Sequence, residues 1–226
     1  MLCTLPAAAG SETGNRALTP AERTVVDRFA RIVGAVLDDF RSDDWNESIE
    51  YTLDDATTPV KPETPLQAGL LQRSYHARPG SARWNALIAP NVKALLDASD
   101  VGAAGKARHS IRGLLDVHVS ATFNTAFSEI DPAPPGNPDL RIAGTAAGFR
   151  VEHPSAYEES GVVLLFGDWK SALWDAENSG YRYKFSQAPG SPVIENVEIR
   201  FGGAADRVDE LLQRIDWRRV DAALGP

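Results

Sequence analysis

The chain has 226 residues, 43% hydrophobic and 24% charged, a usage close to that of ordinary globular domains and long enough to bury a sizeable core. No run of 18 apolar residues occurs, which excludes an ordinary transmembrane helix. The formal charge is −8, and residues 38 to 55 alone hold eight carboxylates against the single base Arg41, a net of −7, so the acidity is concentrated in one segment.

The start, MLCTLPAAAGSETGN, lacks the basic region and the long apolar stretch of a secretory signal. Cys3 is the only cysteine, so no internal disulfide or thiolate metal site can form, and a reducing cytoplasm is the expected compartment. Residues 1–18 are small, polar and aperiodic and read as a mobile arm, followed by one domain over 19–226.

Thr19-Pro-Ala-Glu22 has the form of a capping box with proline at the first helical position. Val25, Val26, Phe29, Ile32, Val33, Val36, Leu37 and Phe40 follow at helical spacing. Ile49, Tyr51 and Leu53 then alternate with polar residues as a half-buried strand, and the proline-rich TTPVKPETP reads as a loop. A helical insertion is expected over about 64–116, starting with a short helix at Leu66, Leu70 and Leu71 and broken near Pro90.

The period changes to two at Val117, Val119, Ala121, Phe123, Thr125 and Phe127, with His118, Ser120, Thr122, Asn124 and Ala126 on the opposite side. DPAPPGNPD is a loop, and strands are expected near 140–142 and 148–152. GVVLLF at 161–166 has the continuous apolarity of a strand covered on both sides. Further strands follow around Tyr181, Tyr183 and Phe185 and around Val197, Ile199 and Phe201. A helix through Val208, Leu211, Leu212 and Ile215 comes next, then a short one capped by Asp216. The expected fold is α+β: a mainly antiparallel sheet of five or six strands, terminal helices on one face and a helical insertion.

Asp38, Asp39 and Asp43 resemble the aspartate-rich motif of terpene and prenyl synthases, which would imply a magnesium-pyrophosphate site. That family is all-helical and needs a second acidic motif, which this chain lacks, so no metal or other cofactor is expected. GAAGKARHS lacks the spacing of a phosphate loop, and His76 and His109 have no zinc-binding companions. Seven bases and three acids between Leu66 and His118 oppose the acidic segment in sign, and the two stretches are expected to face each other within the fold.

Two functions fit these features. The first is a non-catalytic, cytoplasmic interaction protein, in the general manner of bacterial immunity proteins. Its acidic corner, Asp43, Asp44, Trp45, Glu47 and Glu50, would cover the basic site of a protein partner such as a toxin, with Trp45 as anchor and no role for nucleic acid or membrane. The second is a small-molecule binder or enzyme on the polar face of the 117–127 strand. It would use His118, Ser120 and Asn124, with Trp169, Trp174, Tyr181 and Tyr183 as pocket walls. The sequence leaves the oligomeric state open.

Overall fold

The computed structural model describes residues 14–38, 44–51, 56–68, 71–86, 97, 102, 116–130, 141–151, 161–169, 173–203 and 205–226. Within the expected helical insertion residues 87–96, 98–101 and 103–115 lie outside that set, as do Phe40, Asp43, Leu53 and the DPAPPGNPD loop.

The fold is α+β and mainly antiparallel. Its centre is a six-stranded sheet made of β2 (Trp45–Tyr51), β4 (Leu71–Ala77), β5 (Asp116–Phe123), β7 (Ala147–Val151), β8 (Gly161–Gly167) and β11 (Asn196–Gly203), in the order β2-β4-β5-β11-β8-β7. Every neighbouring pair is antiparallel. One face carries Tyr75, Val119, Ile199, Leu164 and their alternating neighbours. Against it pack α1 (Pro20–Asp38), α2 (Ala205–Arg214) and a 3-10 helix (Trp217–Ala223).

Helix α1 forms where expected, for the local reason read from its sequence. The Glu22 amide donates to Thr19 Oγ1 at 3.3 Å, and the Thr19 amide donates back to Glu22 Oε2 at 2.7 Å, closing the capping box. Val25, Val26, Phe29, Val33, Val36 and Leu37 are buried on one stripe. Asp216 caps the 3-10 helix by accepting from the Arg218 amide. Arg28 of α1 donates to the carbonyls of Ala223, Gly225 and Pro226, tying the C-terminal residues to the first helix.

The opposite face of the sheet is divided. Over β7 and β8 it is covered by a second, three-stranded sheet of β6 (Phe127–Glu129), β9 (Leu173–Asp175) and β10 (Gly180–Arg182). Between these layers lies a smaller core of Ile130, Phe149, Val151, Val163, Leu165, Trp169 and Tyr183. Strand β8 is therefore buried from both sides, as its unbroken apolar run predicts. Over β4 and β5 the same face is polar.

Three sequence expectations require correction. Residues 15–17, assigned to the arm, form β1 (Asn15–Ala17), which pairs with β3 (Thr57–Pro59) inside the segment read as loop. Proline is tolerated there because this two-stranded ribbon has only edges. Leu71 opens strand β4 instead of a helix, so the expected insertion is interrupted by a strand deep in the sheet. Phe127 does not continue β5: Asn124, at φ 52°, turns the chain, and Phe127 starts β6 in the second layer.

Candidate functional site

The polar half-face is built by cross-strand register. Strand β4 sets Ser74 opposite His118 and His76 opposite Asp116 of β5, while Ser120 sits between Gln72 of β4 and Arg200 of β11. Directly opposed side chains on one face of an antiparallel pair are close enough to bond. Here they do: Ser74 Oγ lies 2.8 Å from His118 Nδ1, and His76 Nδ1 lies 2.9 Å from Asp116 Oδ1. The two imidazole rings stand edge to face, 6.4 Å apart.

The two pairs do not form a serine-histidine-aspartate relay, because Asp116 engages His76 while the serine engages His118. A carboxylate only accepts, so His76 Nδ1 is the donor to Asp116 and its Nε2 is left to act outward. Ser74 and Asp116 are buried, His76 is half-buried and His118 is exposed. One buried hydroxyl and one buried carboxylate thus each hold a ring that reaches the surface, the arrangement a proton-transferring or hydrogen-bonding site requires.

On β11 the polar face continues with Glu198, opposite Thr122, and Arg200. Arg200 Nε donates to Glu198 Oε1 at 2.5 Å, and its Nη2 donates to the Glu129 carbonyl at 2.9 Å, joining this face to the second layer. Glu198 is 5% exposed, and its Oε2 is buried with no hydrogen-bond partner among the described residues.

Of the residues predicted for this pocket, His118 and Ser120 lie on the face, but Asn124 does not. Its Nδ2 donates to the carbonyls of Leu66 and Val193 at 2.7 and 2.8 Å, and its Oδ1 accepts from the Glu195 amide at 2.9 Å. All of its side-chain groups are used to hold two loops at the end of β5. The aromatic walls are displaced too. Trp169 and Tyr183 pack edge to face at 5.2 Å within the small core, and Trp174 packs on Tyr181 at 5.2 Å beside them. These rings seal the two sheets together over β7 and β8. The sequence reading missed Ser74 and His76, whose strand it took for helix, and so the pairing of Asp116 with His76 that depends on that strand.

The acidic corner is arranged differently from an exposed anchor. Trp45 is 5% exposed and belongs to the main core. The Arg83 guanidinium lies 4.8 Å from its ring centroid and that of Arg207 lies 5.7 Å away, so the cations that meet Trp45 come from its own chain. Arg83 then grips Asp206 in the first turn of α2 through two bonds of 2.8 and 2.7 Å, which holds the Asp206 carboxyl below its ordinary range. Arg73 binds Asp38 at 2.7 Å, and Arg78 donates from its amide to the Asp44 carbonyl at 2.7 Å. The acidic and basic stretches do meet within the fold. Glu47 and Glu50 lie on β2, an edge strand, and Asp43 is outside the described residues.

Among the described residues, no three His, Cys, Asp or Glu side chains are grouped so as to hold a metal ion. No helix among them is long and apolar enough to cross a membrane. Comparison with protein-family models, with curated proteins and with solved structures found no match to this chain.

Proposed function

We propose that the protein binds a small polar molecule on the polar half-face of β4, β5 and β11 and acts on it through proton transfer. The observation that carries this reading is the pair of adjacent hydrogen-bonded couples, Ser74 with His118 and His76 with Asp116. His118 is the group best placed to exchange a proton, since its ring is exposed while Ser74 fixes its orientation. Screening a library of small polar compounds by histidine-detected NMR tests the proposal. A ligand of this site moves the His76 and His118 ring resonances together and loses affinity in His118→Gln. Ligands that bind while leaving both rings unmoved would overturn it.

A second reading, an antagonist of a basic protein partner, is favoured by one observation: the acidic segment runs along β2, whose outer side has no strand neighbour among the described residues. An edge strand offers backbone groups to a partner, and its carboxylates would steer a basic one. Trp45 has no part in that surface. Substituting Asp43, Asp44 and Glu47 by Ala should then slow association at low salt, and an unchanged on-rate would remove this reading.

A further inference from the structure

A concave site lies on the helical side of the sheet, away from the histidines. A groove of about 560 Å³ opens between the turn at 141–146, strand β7, the end of α2 and the start of the 3-10 helix. Its lining includes Arg141, Arg150, Arg214 and Arg218 against only two carboxylates, Asp209 and Asp216. In a chain whose formal charge is −8, a concavity with a net of +2 is a local inversion of sign. Leu212, Ile215 and Trp217 form its apolar floor.

Two of the four arginines are held in place by carboxylates. Asp209 binds Arg150 at 2.6 Å, and Asp216 takes both Nε and Nη2 of Arg218 at 2.7 and 3.1 Å, which leaves Nη1 of Arg218 for another acceptor. Among the described residues, Arg214 has a single long contact of 3.3 Å to Glu210, whose other oxygen is bonded to Arg207. Arg141 is exposed at the mouth and has no ion-pair partner among the described residues. Two guanidinium groups are thus oriented by carboxylates and two carry charge that is weakly matched, and a guanidinium fork suits the geometry of an oxyanion.

The wall opposite α2 is preformed. Thr145 closes a turn onto the Ile142 carbonyl through both its amide and its hydroxyl, and Gly144, at φ 93°, runs so close to the 3-10 helix that a Cβ there would stand 2.5 Å from the Arg218 amide. Only glycine permits that approach, so the groove does not depend on a loop ordering around its ligand.

We infer that this groove binds a small, multiply charged oxyanion, a phosphate-bearing or polycarboxylate molecule, with Arg141 and Arg214 as the principal contacts. The site is separate from the histidine face and stands or falls independently of it.

Calorimetric titration of the full chain with pyrophosphate and with citrate, at about 50 mM salt, tests the inference and separates the two ligand sources. One-to-one binding is expected for at least one probe, weakened roughly tenfold in Arg141→Gln and in Arg214→Gln, with salt dependence to match the lost charge. Arg31→Gln, an exposed arginine on α1 outside the groove, should leave affinity unchanged, and melting temperatures of all three variants should stay near that of the wild type. Heat without saturation for both probes would overturn the inference, as would equal losses in Arg31→Gln and Arg141→Gln, which would mark diffuse attraction. Gly144→Ala provides a second reading: a folded variant with weakened binding supports a preformed wall, and unchanged binding removes that part of the argument.

Discussion

Arg16 and Glu22 lock the N-terminal ribbon to the first helix: Arg16 donates through Nη2 and Nη1 to the two carboxylate oxygens at 2.6 and 2.8 Å, while the same carboxylate accepts from the Thr19 amide. This pairing, Arg16 first among its causes, holds the Glu22 carboxyl down at about 2 against an ordinary 4.5. A depressed acid contributes stability that is complete above its unfolded value and is lost as pH falls through the folded one. The Arg16–Glu22 contribution should therefore be full near neutrality and decline from about pH 4.5 toward about pH 2. Urea unfolding should show Glu22→Gln less stable by about 2 to 3 kcal/mol near pH 7, the gap narrowing below about pH 4. A gap that stays constant with pH would mean the carboxylate charge is not what stabilises the corner.

Helix α1 was readable because every signal for it is local: the cap, the proline and the apolar stripe fall within one stretch. Strand β11 was readable for a similar reason, since Val197, Ile199 and Phe201 alternate without interruption. Strand β4 was not, because its inward row reads Leu71, Arg73, Tyr75 and Ala77, with a cation where an apolar residue belongs. Asp38 at the end of α1 receives that cation and Gly34 leaves room for it, its Cβ position being 3.2 Å from Arg73 Nη2. Neither fact is visible near residue 73. With β4 hidden, His118 had no visible partner, and the candidate site could be read only in half.

Trp45 shows the same dependence on distant residues. Surrounded by carboxylates in sequence, it is covered in space by Arg83 and Arg207 and by the core. Trp45→Ala removes a buried indole and the cation-π contacts that Arg83 and Arg207 make with it, and should destabilise the protein by about 3 to 5 kcal/mol, measured from denaturant midpoints. A surface anchor would give the reverse pattern, with stability kept and a partner lost.

The pairing on the polar face makes a prediction that distinguishes two separate couples from one relay. Asp116→Asn should alter the protonated nitrogen and ring shifts of His76, seen in long-range nitrogen-proton correlation spectra, and leave those of His118 nearly unmoved. Ser74→Ala should do the opposite. If Asp116→Asn moved His118 as strongly as His76, the two couples would be acting as a connected chain.

At the end of β11, Gly203 adopts φ 111° where a Cβ would stand 2.1 Å from the Asp116 carbonyl oxygen. Backbone in that region strains any other residue, and the blocking atom is main chain and cannot swing aside. Gly203→Ala should lower the melting temperature by about 10 °C or more, equivalent to a few kcal/mol, and should displace Asp116 with the start of β5. The His76 resonance should shift in the same variant, which connects this glycine to the polar face.

Asn124 carries the last prediction, because the structure moves it from the ligand-binding set to the framework. Its side chain satisfies the Leu66 and Val193 carbonyls and the Glu195 amide while its own backbone holds a left-handed conformation that asparagine tolerates better than most residues. Asn124→Ala leaves those three backbone groups short of a partner and should cost about 2 to 4 kcal/mol in unfolding experiments. Asn124→Asp is the more discriminating variant. Its carboxylate retains the acceptor for Glu195 but faces two carbonyl oxygens in place of the lost donor, so it should fail by at least as much near neutrality and recover partly as the acid is protonated. A ligand-contacting asparagine would instead tolerate both changes in stability and lose only binding, so paired measurements of unfolding and of histidine-face ligand affinity decide which role the residue has.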